Sequence, residues 1–175
     1  MTTVYRGAVY GMTATAFCSV SLEPPLVLAS VNNHSRMHTV LAQSGLYGVS
    51  ILARNQEWLS RHFSGRSQEQ VQTPFVWHEG YPLIEGAVGW LTCQVVKAHL
   101  AGDHTLYIGQ VESLGCSDAC APLVFYAGEY QSLEREVPIF HRSTDALSQV
   151  VEVPTFRRST DELSQRDALQ GSTHR

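Results

Sequence analysis

Two long β-prone runs joined by three residues constrain the fold of this chain more than any other feature. The runs are AVGWLTCQVVKAHL (87–100) and HTLYIGQVESL (104–114), and AGD (101–103) separates them. Both are rich in Val, Leu and Thr, and so short a connection suits strands that run antiparallel. We therefore predict a long β-hairpin over residues 87–114.

Five further runs before residue 131 are typical of strands. The run TVYRGAVYGM (3–12) predicts a short hairpin with its turn at Arg6–Gly7. The other four are TAFCSVSL (15–22), LVLASV (26–31), LYGVSILA (46–53) and PLVFYAGEY (122–130). Pro24 and Pro25 bend the chain between the first two of these. Closely spaced antiparallel strands of this kind predict a mainly β fold, a small antiparallel barrel.

Two segments have helical spacing instead. Residues 35–45 predict a helix that Ser35 caps and Gly45 ends, with Met37, Val40 and Leu41 on its apolar face. Residues 55–63 predict a shorter helix with Asn55 as its N-cap and an apolar face of Trp58, Leu59 and Phe63. The polar run 64–74 that follows predicts a loop.

The length and charge of the chain narrow its class. A chain of 175 residues is most simply one domain with a substantial core. The formal net charge of −4 disfavours nucleic acid or an anionic membrane as the main partner, because both attract basic surfaces. The apolar runs are too short to span a bilayer, and the first residues are too polar for a secretory signal. We therefore expect a cytoplasmic protein.

Motifs for several common sites are absent from the sequence. It contains no G-x-G-x-x-G, G-x-x-x-x-G-K-[ST], G-x-S-x-G or H-E-x-x-H pattern. The four cysteines are Cys18, Cys93, Cys116 and Cys120. They lack paired C-x2-C spacing, so we expect reduced thiols in an intracellular protein and no zinc site. His34 and His38 share a helix face but have no evident third ligand, so we predict no metal there.

A tandem duplication distinguishes residues 134–175 from the rest of the chain. EVPIFHRSTDALSQ (136–149) recurs as EVPTFRRSTDELSQ (152–165) with three differences. Two short copies are too few for a solenoid. We divide the chain into a barrel domain over 1–133 and a tail over 134–175. The tail is either a mobile, solvated extension or an arm that packs on a second subunit through Phe140, Leu147, Phe156 and Leu163.

Three parts of the sequence combine into a candidate cofactor site. The first is the run Thr13–Ser21, whose small hydroxyl-bearing side chains let a flat molecule approach the backbone. The second is VNNHSR (31–36), where a strand gives way to a helix whose N-terminus, with Ser35 and Arg36, suits a phosphate. The third is the turn AGDHT (101–105), which carries Asp103 and His104. Together they predict a site for a planar ring that carries a phosphate.

Several of these motifs, in this order, resemble those of a known family. The segments are GMTATAFCSVSLEPPLVLASVNNHSRMH (11–38), FSGR (63–66), EGAVGWLTCQV (85–95), AGDHTLYIGQV (101–111) and PLVFYAGEY (122–130). They are similar to the flavin reductase family with the FMN-binding split-barrel fold. The resemblance covers roughly Val9 to Tyr130 and is greatest to reductase components of two-component flavin monooxygenases, such as that of styrene monooxygenase.

The resemblance implies a function and an assembly. It implies an antiparallel split β-barrel that forms a homodimer and binds FMN or FAD. It implies that NAD(P)H delivers hydride to the flavin, and that the reduced flavin is released to a partner monooxygenase. Relatives carry a helix and a strand before the segment that matches Tyr10–Gly11, so either the hairpin at residues 3–12 replaces that strand or this chain starts late.

The resemblance also implies the site residues. The flavin would lie along Thr13, Ala14, Thr15, Ala16, Phe17, Cys18 and Ser19. Its phosphate would lie near Ser30, Val31, Asn32 and Ser35, with Phe63 and Arg66 beside the cofactor. The nicotinamide nucleotide would contact Gly102, Asp103 and His104. We expect His104 to orient the nicotinamide amide or bind the dinucleotide's phosphate, with no role in proton transfer.

Hydride transfer explains why the sequence needs no catalytic triad. The flavin carries the difficult chemistry, and the protein holds two planar rings together where water is limited. Hydroxyl and backbone N–H donors near Thr15 and Ser19 would stabilise charge that develops on the flavin. Two alternatives share the fold: a non-catalytic flavin-binding or electron-carrier protein, and a flavin-free dimeric scaffold.

Overall fold

The computed structural model describes residues 1–65, 72–117 and 121–131, together with the backbone of residues 151–152. Its strands are β1 (Thr2–Tyr5), β2 (Ala8–Gly11), β3 (Phe17–Leu22), β4 (Pro25–Asn32), β5 (Leu46–Ile51), β6 (Phe75–His78), β7 (Tyr81–Ile84), β8 (Gly89–Ala101), β9 (His104–Cys116), β10 (Val124–Tyr126), β11 (Glu129–Gln131) and β12 (Val151–Glu152). The helices are α1 (Arg36–Ser44) and α2 (Glu57–Phe63), and a 3-10 turn (Arg54–Gln56) precedes α2.

One antiparallel sheet contains most of these strands. Its order is β2-β1-β5-β8-β9-β4-β3, and β12 pairs with β9 beside this path. The predicted hairpin is its centre, because β8 and β9 pair from Gly89 opposite Cys116 to Ala101 opposite His104. The mainly β antiparallel prediction is confirmed. Apart from β12, the predicted tail lies outside the described residues.

The first hairpin extends this sheet at its edge. Arg6 and Gly7 form the turn with φ values of 51° and 77°. Two successive positive φ values are typical of the tight turns whose twist matches that of paired strands. Thr2 lies opposite Gly48, so β1 continues the sheet from β5. The hairpin predicted at residues 3–12 therefore supplies an edge strand pair, as expected.

Helix α1 packs its apolar face on the inner face of the sheet. The Oγ of Ser35 accepts a hydrogen bond from the backbone N–H of His38 at 3.1 Å. Gly45 ends the helix with a φ of 67°. Both predicted ends are confirmed. The core beneath the helix consists of Val27, Val31, Met37, Val40, Leu41, Tyr47, Val49, Cys93, Tyr107 and Val111.

The second helix differs from its prediction at its start and on its buried face. The side-chain Oε1 of Gln56 accepts from the backbone N–H of Ala53 at 2.9 Å and stabilises a 3-10 turn. Asn55 therefore lies inside that turn and is not an N-cap. Trp58 is 42% exposed, whereas Ser60 is buried beside Leu59. The inward face thus includes a hydroxyl that the apolar spacing did not indicate.

Three further strand regions differ from the prediction. Residues 122–130 do not form one strand, because Ala127 and Gly128 turn the chain between β10 and β11. A second hairpin, β6–β7, was not predicted, although Glu79 and Gly80 form its turn between two apolar runs. The predicted strand 15–22 begins only at Phe17, and the carbonyl of Ala16 just before it accepts from the backbone N–H of Ser30.

A close contact in the core explains a glycine in β9. A Cβ at Gly109 would lie 2.1 Å from the Oη of Tyr47 and 2.7 Å from its Cζ. Tyr47 is fully buried and Cys93 belongs to the same core cluster. Burial raises the pKa of the Cys93 thiol from 9.0 to about 12. This region of the core is therefore closely packed and apolar in character.

Gly109→Ala should lower the free energy of unfolding by about 1–3 kcal/mol, because the added methyl group must displace the Tyr47 ring. Urea unfolding measures the change. Gly89→Ala is the matched control in β8, because its Cβ would lie 3.5 Å from the nearest atom. The control should change stability by about 0.5 kcal/mol or less. Equal effects of the two substitutions would contradict this packing.

Candidate functional site

A cavity of about 350 Å³ lies where the connection between β2 and β3 passes α2. Its volume falls within the range typical of small-molecule sites. Residues 12–15, Phe17, the end of β5, α2 and the β10–β11 hairpin form its walls. The first predicted part of the site, the small hydroxyl-rich run, therefore borders an open space and not a packed core.

Hydrogen bonds hold the connection in place although it belongs to no strand. The backbone N–H of Thr13 donates to the carbonyl of Phe63 at 3.1 Å. The Oγ1 of Thr13 donates to the carbonyl of Ser60 at 2.7 Å. The carbonyl of Ala16 accepts from the N–H of Ser30 at 3.0 Å. These bonds tie one end of the connection to α2 and the other to β4, with Ala14 and Thr15 between them on the cavity wall.

An aromatic ring forms the wall beside this connection. Phe63 lines the cavity and lies against the backbone of β2. A Cβ at Gly11 would lie 2.3 Å from the Cε1 of Phe63, so only a glycine admits the ring at this position. The ring centroid of Phe75 lies 6.4 Å from that of Phe63. The sequence predicted Phe63 as a site residue but did not indicate the role of Gly11.

The second and third predicted parts meet through Asn33. Its backbone N–H donates to the carbonyl of Asp103 at 2.9 Å. Its side-chain Oδ1 accepts from the Oγ1 of Thr105 at 2.7 Å. Asn32 also lies opposite His104 in the sheet. The start of α1 and the AGDHT turn are therefore neighbours, and Asn33, predicted only to end a strand, joins them.

Asp103 and His104 form a pair at the tip of the long hairpin. The Nδ1 of His104 lies 2.8 Å from the Oδ1 of Asp103. This hydrogen bond and the charge of the imidazole hold the pKa of the Asp103 carboxyl below its ordinary value. The ionised carboxylate accepts a hydrogen bond from the Nδ1–H of His104 and so orients the ring. The Nε2 is then the nitrogen that carries the lone pair when the ring is neutral.

The structure groups some of the predicted site residues and separates others. Those that border the cavity are Thr13, Ala14, Thr15, Phe17 and Phe63. Cys18 and Ser19 are exposed on β3, while Ser30, Val31 and Asn32 lie on β4 and Gly102, Asp103 and His104 at the far hairpin turn. Arg66 lies outside the described residues.

The structure limits what Val31 and Ala16 can contribute to the predicted site. The Val31 side chain is 0% exposed and belongs to the hydrophobic core. It therefore offers a ligand only backbone atoms. Ala16 likewise contributes its carbonyl to the bond with Ser30 and does not line the cavity. Alternation along β4 explains the first correction, because Val27, Ala29 and Val31 all face inward.

The β10–β11 hairpin contributes cavity residues that the sequence reading missed. Phe125 and Tyr130 line the cavity, and their ring centroids lie 5.0 Å apart. The N–H of Leu123 donates to the carbonyl of Leu52 at 2.8 Å, which holds this segment against the end of β5. The alanine–glycine pair before Glu129 was the available signal for this hairpin.

The part of the chain that the structure describes shows neither a metal-binding cluster nor a helix that could cross a membrane. Within residues 1–65, 72–117 and 121–131, no cluster of His, Cys, Asp or Glu could hold a metal ion. The three cysteines in those ranges, Cys18, Cys93 and Cys116, are free thiols. Neither α1 nor α2 is long and apolar enough to cross a membrane.

Sequence comparisons place these features among known proteins. Residues 1–134 match a family model described as a flavin reductase like domain. The chain is 53% identical over 127 residues to an NADH-dependent flavin reductase from a Rhodococcus species. That alignment covers 73% of this chain and 72% of the relative.

Solved structures give a concordant result. The chain superimposes on the flavin reductase PheA2 with a TM-score of 0.75 at 42% identity, over 77% of this chain and 87% of that structure. It superimposes on the styrene monooxygenase flavin reductase of Pseudomonas putida S12 with a TM-score of 0.69 at 37% identity, over 74% and 85% of the two chains. The predicted split-barrel fold is confirmed by these likenesses.

Gly11→Ala should weaken flavin binding, because the new Cβ forces the Phe63 ring out of the cavity wall. We expect the dissociation constant for oxidised flavin, measured by quenching of flavin fluorescence, to rise about tenfold, or about 1.4 kcal/mol. In a Phe63→Leu background the same substitution should have a smaller effect, because the ring it displaces is gone. Additive effects in this cycle would show that Gly11 does not act through Phe63.

Proposed function

Because the chain belongs to the flavin reductase family, we propose that it transfers hydride from NADH to FMN or FAD and supplies the reduced flavin to a flavin-dependent monooxygenase. The relative from Rhodococcus is named as NADH-dependent, and the structure from Pseudomonas putida is a reductase of styrene monooxygenase. The observation that carries the proposal for this chain is the cavity bordered by Thr13, Ala14, Thr15 and Phe63.

We expect the cavity to accommodate one face of a flavin ring system. When bound, the flavin accepts a hydride and later delivers the electrons. Ala14 and Thr15 present little side-chain bulk, so a planar ring reaches the backbone between the two anchored ends of the connection. The Phe63 ring supplies an apolar wall, and the Thr15 hydroxyl and neighbouring backbone N–H groups supply donors for a developing negative charge.

The start of α1 would hold the flavin's phosphate. The Ser35 hydroxyl oxygen accepts from the backbone N–H of His38, which leaves its hydrogen available to a phosphate oxygen. The helix N-terminus adds a partial positive charge. Arg36 lies nearby, with its guanidinium carbon 4.6 Å from the centroid of the Tyr10 ring. Ser30, Asn32 and Arg66 remain further predicted contacts on this side of the flavin.

The Gly102–His104 turn would hold the nicotinamide nucleotide. A neutral His104 that donates its Nδ1–H to Asp103 would have its Nε2 lone pair facing away from that bond. A lone pair on Nε2 suits the N–H donors of a carboxamide. His104 would thus orient the substrate, and hydride transfer between two stacked rings requires no proton from it. Asn33 sets the position of this turn relative to the phosphate site.

A second copy of the chain would complete the site. Strand β3 is the last strand on the sheet path, and it carries the predicted flavin residues Cys18 and Ser19. Its Leu22 is 90% exposed and its Val20 is 51% exposed. Exposed apolar side chains on an edge strand favour burial against another subunit. We therefore propose a homodimer that pairs around β3, with the flavin held between subunits.

The reductase activity is tested by mixing the purified protein with NADH and either FMN or FAD, and following the loss of NADH absorbance. Consumption of NADH that requires added flavin supports the proposal. Flavin binding without NADH consumption would instead support the electron-carrier alternative, and no binding at all would support the scaffold. Comparing kcat/KM for FMN and FAD also identifies the preferred flavin.

His104→Ala should raise the KM for NADH about tenfold while flavin binding stays within about twofold, because the turn contacts only the dinucleotide. Steady-state kinetics and flavin fluorescence measure the two effects separately. His99→Ala is the control, since His99 is an exposed histidine on β8 in the same hairpin. Equal losses of NADH and flavin affinity would contradict the assignment of this turn to the nicotinamide nucleotide.

A further inference from the structure

We propose that Tyr130 is a positioning residue for the flavin, which acts through Ser60 on Thr13. The proposal rests on the proposed function, because it concerns the same cavity. Tyr130 lies on β11, far along the chain from the predicted flavin segment. The three residues all border the cavity, yet only Thr13 was predicted from the sequence as a site residue.

The first link joins the C-terminal hairpin to the second helix. The Tyr130 hydroxyl donates a hydrogen bond to the Oγ of Ser60 at 2.9 Å. Ser60 is 4% exposed, so its hydroxyl is shielded from bulk water. A buried hydroxyl is costly to leave without a partner. The bond therefore holds Ser60 and the surrounding turn of α2 in one position.

The second link joins that helix to the flavin segment. The carbonyl of Ser60 accepts from the Oγ1 of Thr13 at 2.7 Å, and the N–H of Thr13 donates to Phe63 three residues further along α2. Thr13 is thus bonded by both its side chain and its backbone to the helix that Tyr130 contacts. A shift of Ser60 would move Thr13, and with it the backbone at Ala14 and Thr15.

Contacts around the Tyr130 ring keep its hydroxyl in place. The guanidinium carbon of Arg61 lies 4.8 Å from the ring centroid. Arg61 is itself held by Glu57, at 2.6 Å between Nη2 and Oε1. On another side, the Phe125 ring meets the Tyr130 ring at an interplanar angle of 61°. Two neighbours, Arg61 and Phe125, therefore orient the ring whose hydroxyl bonds to Ser60.

The arrangement predicts an effect that is selective for flavin. The link ends at the segment proposed to hold the flavin ring, whereas the Gly102–His104 turn is bonded to Asn33 instead. Loosening the link should weaken flavin binding and leave NADH affinity unchanged. A purely structural role would weaken the affinity for both substrates together.

The test compares Tyr130→Phe with Tyr126→Phe in the full chain. Tyr126 is the matched control, because it lies on the same hairpin and is 73% exposed. For Tyr130→Phe we expect the flavin Kd, from fluorescence quenching, and the flavin KM to rise about tenfold. The KM for NADH should stay close to wild type, although the urea midpoint should fall because the buried Ser60 hydroxyl loses its partner. An unchanged flavin Kd, or equal losses for flavin and NADH, would overturn the proposal.

Two further variants test whether the effect passes through Ser60 and Thr13. Ser60→Ala should weaken flavin binding as Tyr130→Phe does, and the double variant should be no weaker than either single one. Thr13→Ser keeps the hydroxyl and should bind flavin nearly as wild type, whereas Thr13→Val should not. Full additivity of the Tyr130 and Ser60 substitutions would contradict the link.

The wild-type protein separates failure of this proposal from failure of the proposed function. If the wild type binds flavin but does not oxidise NADH, the reductase function fails while the ratio of flavin Kd values still decides the role of Tyr130. If the wild type oxidises NADH with flavin and Tyr130→Phe binds flavin equally well, only the positioning role fails. If the wild type binds no flavin, both are overturned.

Discussion

The residues between β2 and β3 leave the sheet, and their lost strand pairing is replaced by bonds to a helix and to β4. Thr13 donates twice to α2, and Ala16 accepts from Ser30 on β4. Buried backbone groups need such partners wherever a strand is interrupted. This connection can therefore carry small side chains beside an open cavity without collapsing into it, and the proposed flavin site depends on that.

The long β8–β9 hairpin positions the proposed nicotinamide site, through bonds other than those that anchor the connection. Its tip carries Asp103 and His104, and Asn33 bonds that tip to the end of β4. The flavin segment and β4 are joined in turn by the bond from Ser30 to Ala16. A single strand, β4, thus connects the proposed ring, phosphate and nicotinamide contacts. Attachment of both sites to one strand suits hydride transfer, because the two rings must be held at a defined separation.

Local patterns in the sequence predicted the elements whose determinants are local. The caps of α1, the turn at Arg6–Gly7 and the β8–β9 hairpin each depend on residues a few positions apart. The predicted single strand at 122–130 and the N-cap at Asn55 were wrong, because a glycine turn and the Gln56 side chain decided those structures. In the site, resemblance led to Thr13 and Phe63, but no local pattern indicated the roles of Gly11 and Tyr130, although both lie in segments that carry the resemblance. Their roles depend on contacts with Phe63 and Ser60, which are distant in sequence.

The central claim is that the anchored connection and the Phe63 ring form the wall against which a flavin lies. A crystal structure of this protein with oxidised FMN or FAD tests it most directly. We predict that the isoalloxazine ring contacts residues 13–15 and Phe63, with both Thr13 hydrogen bonds to α2 intact. An isoalloxazine ring bound elsewhere, with this cavity unaltered, would contradict the account.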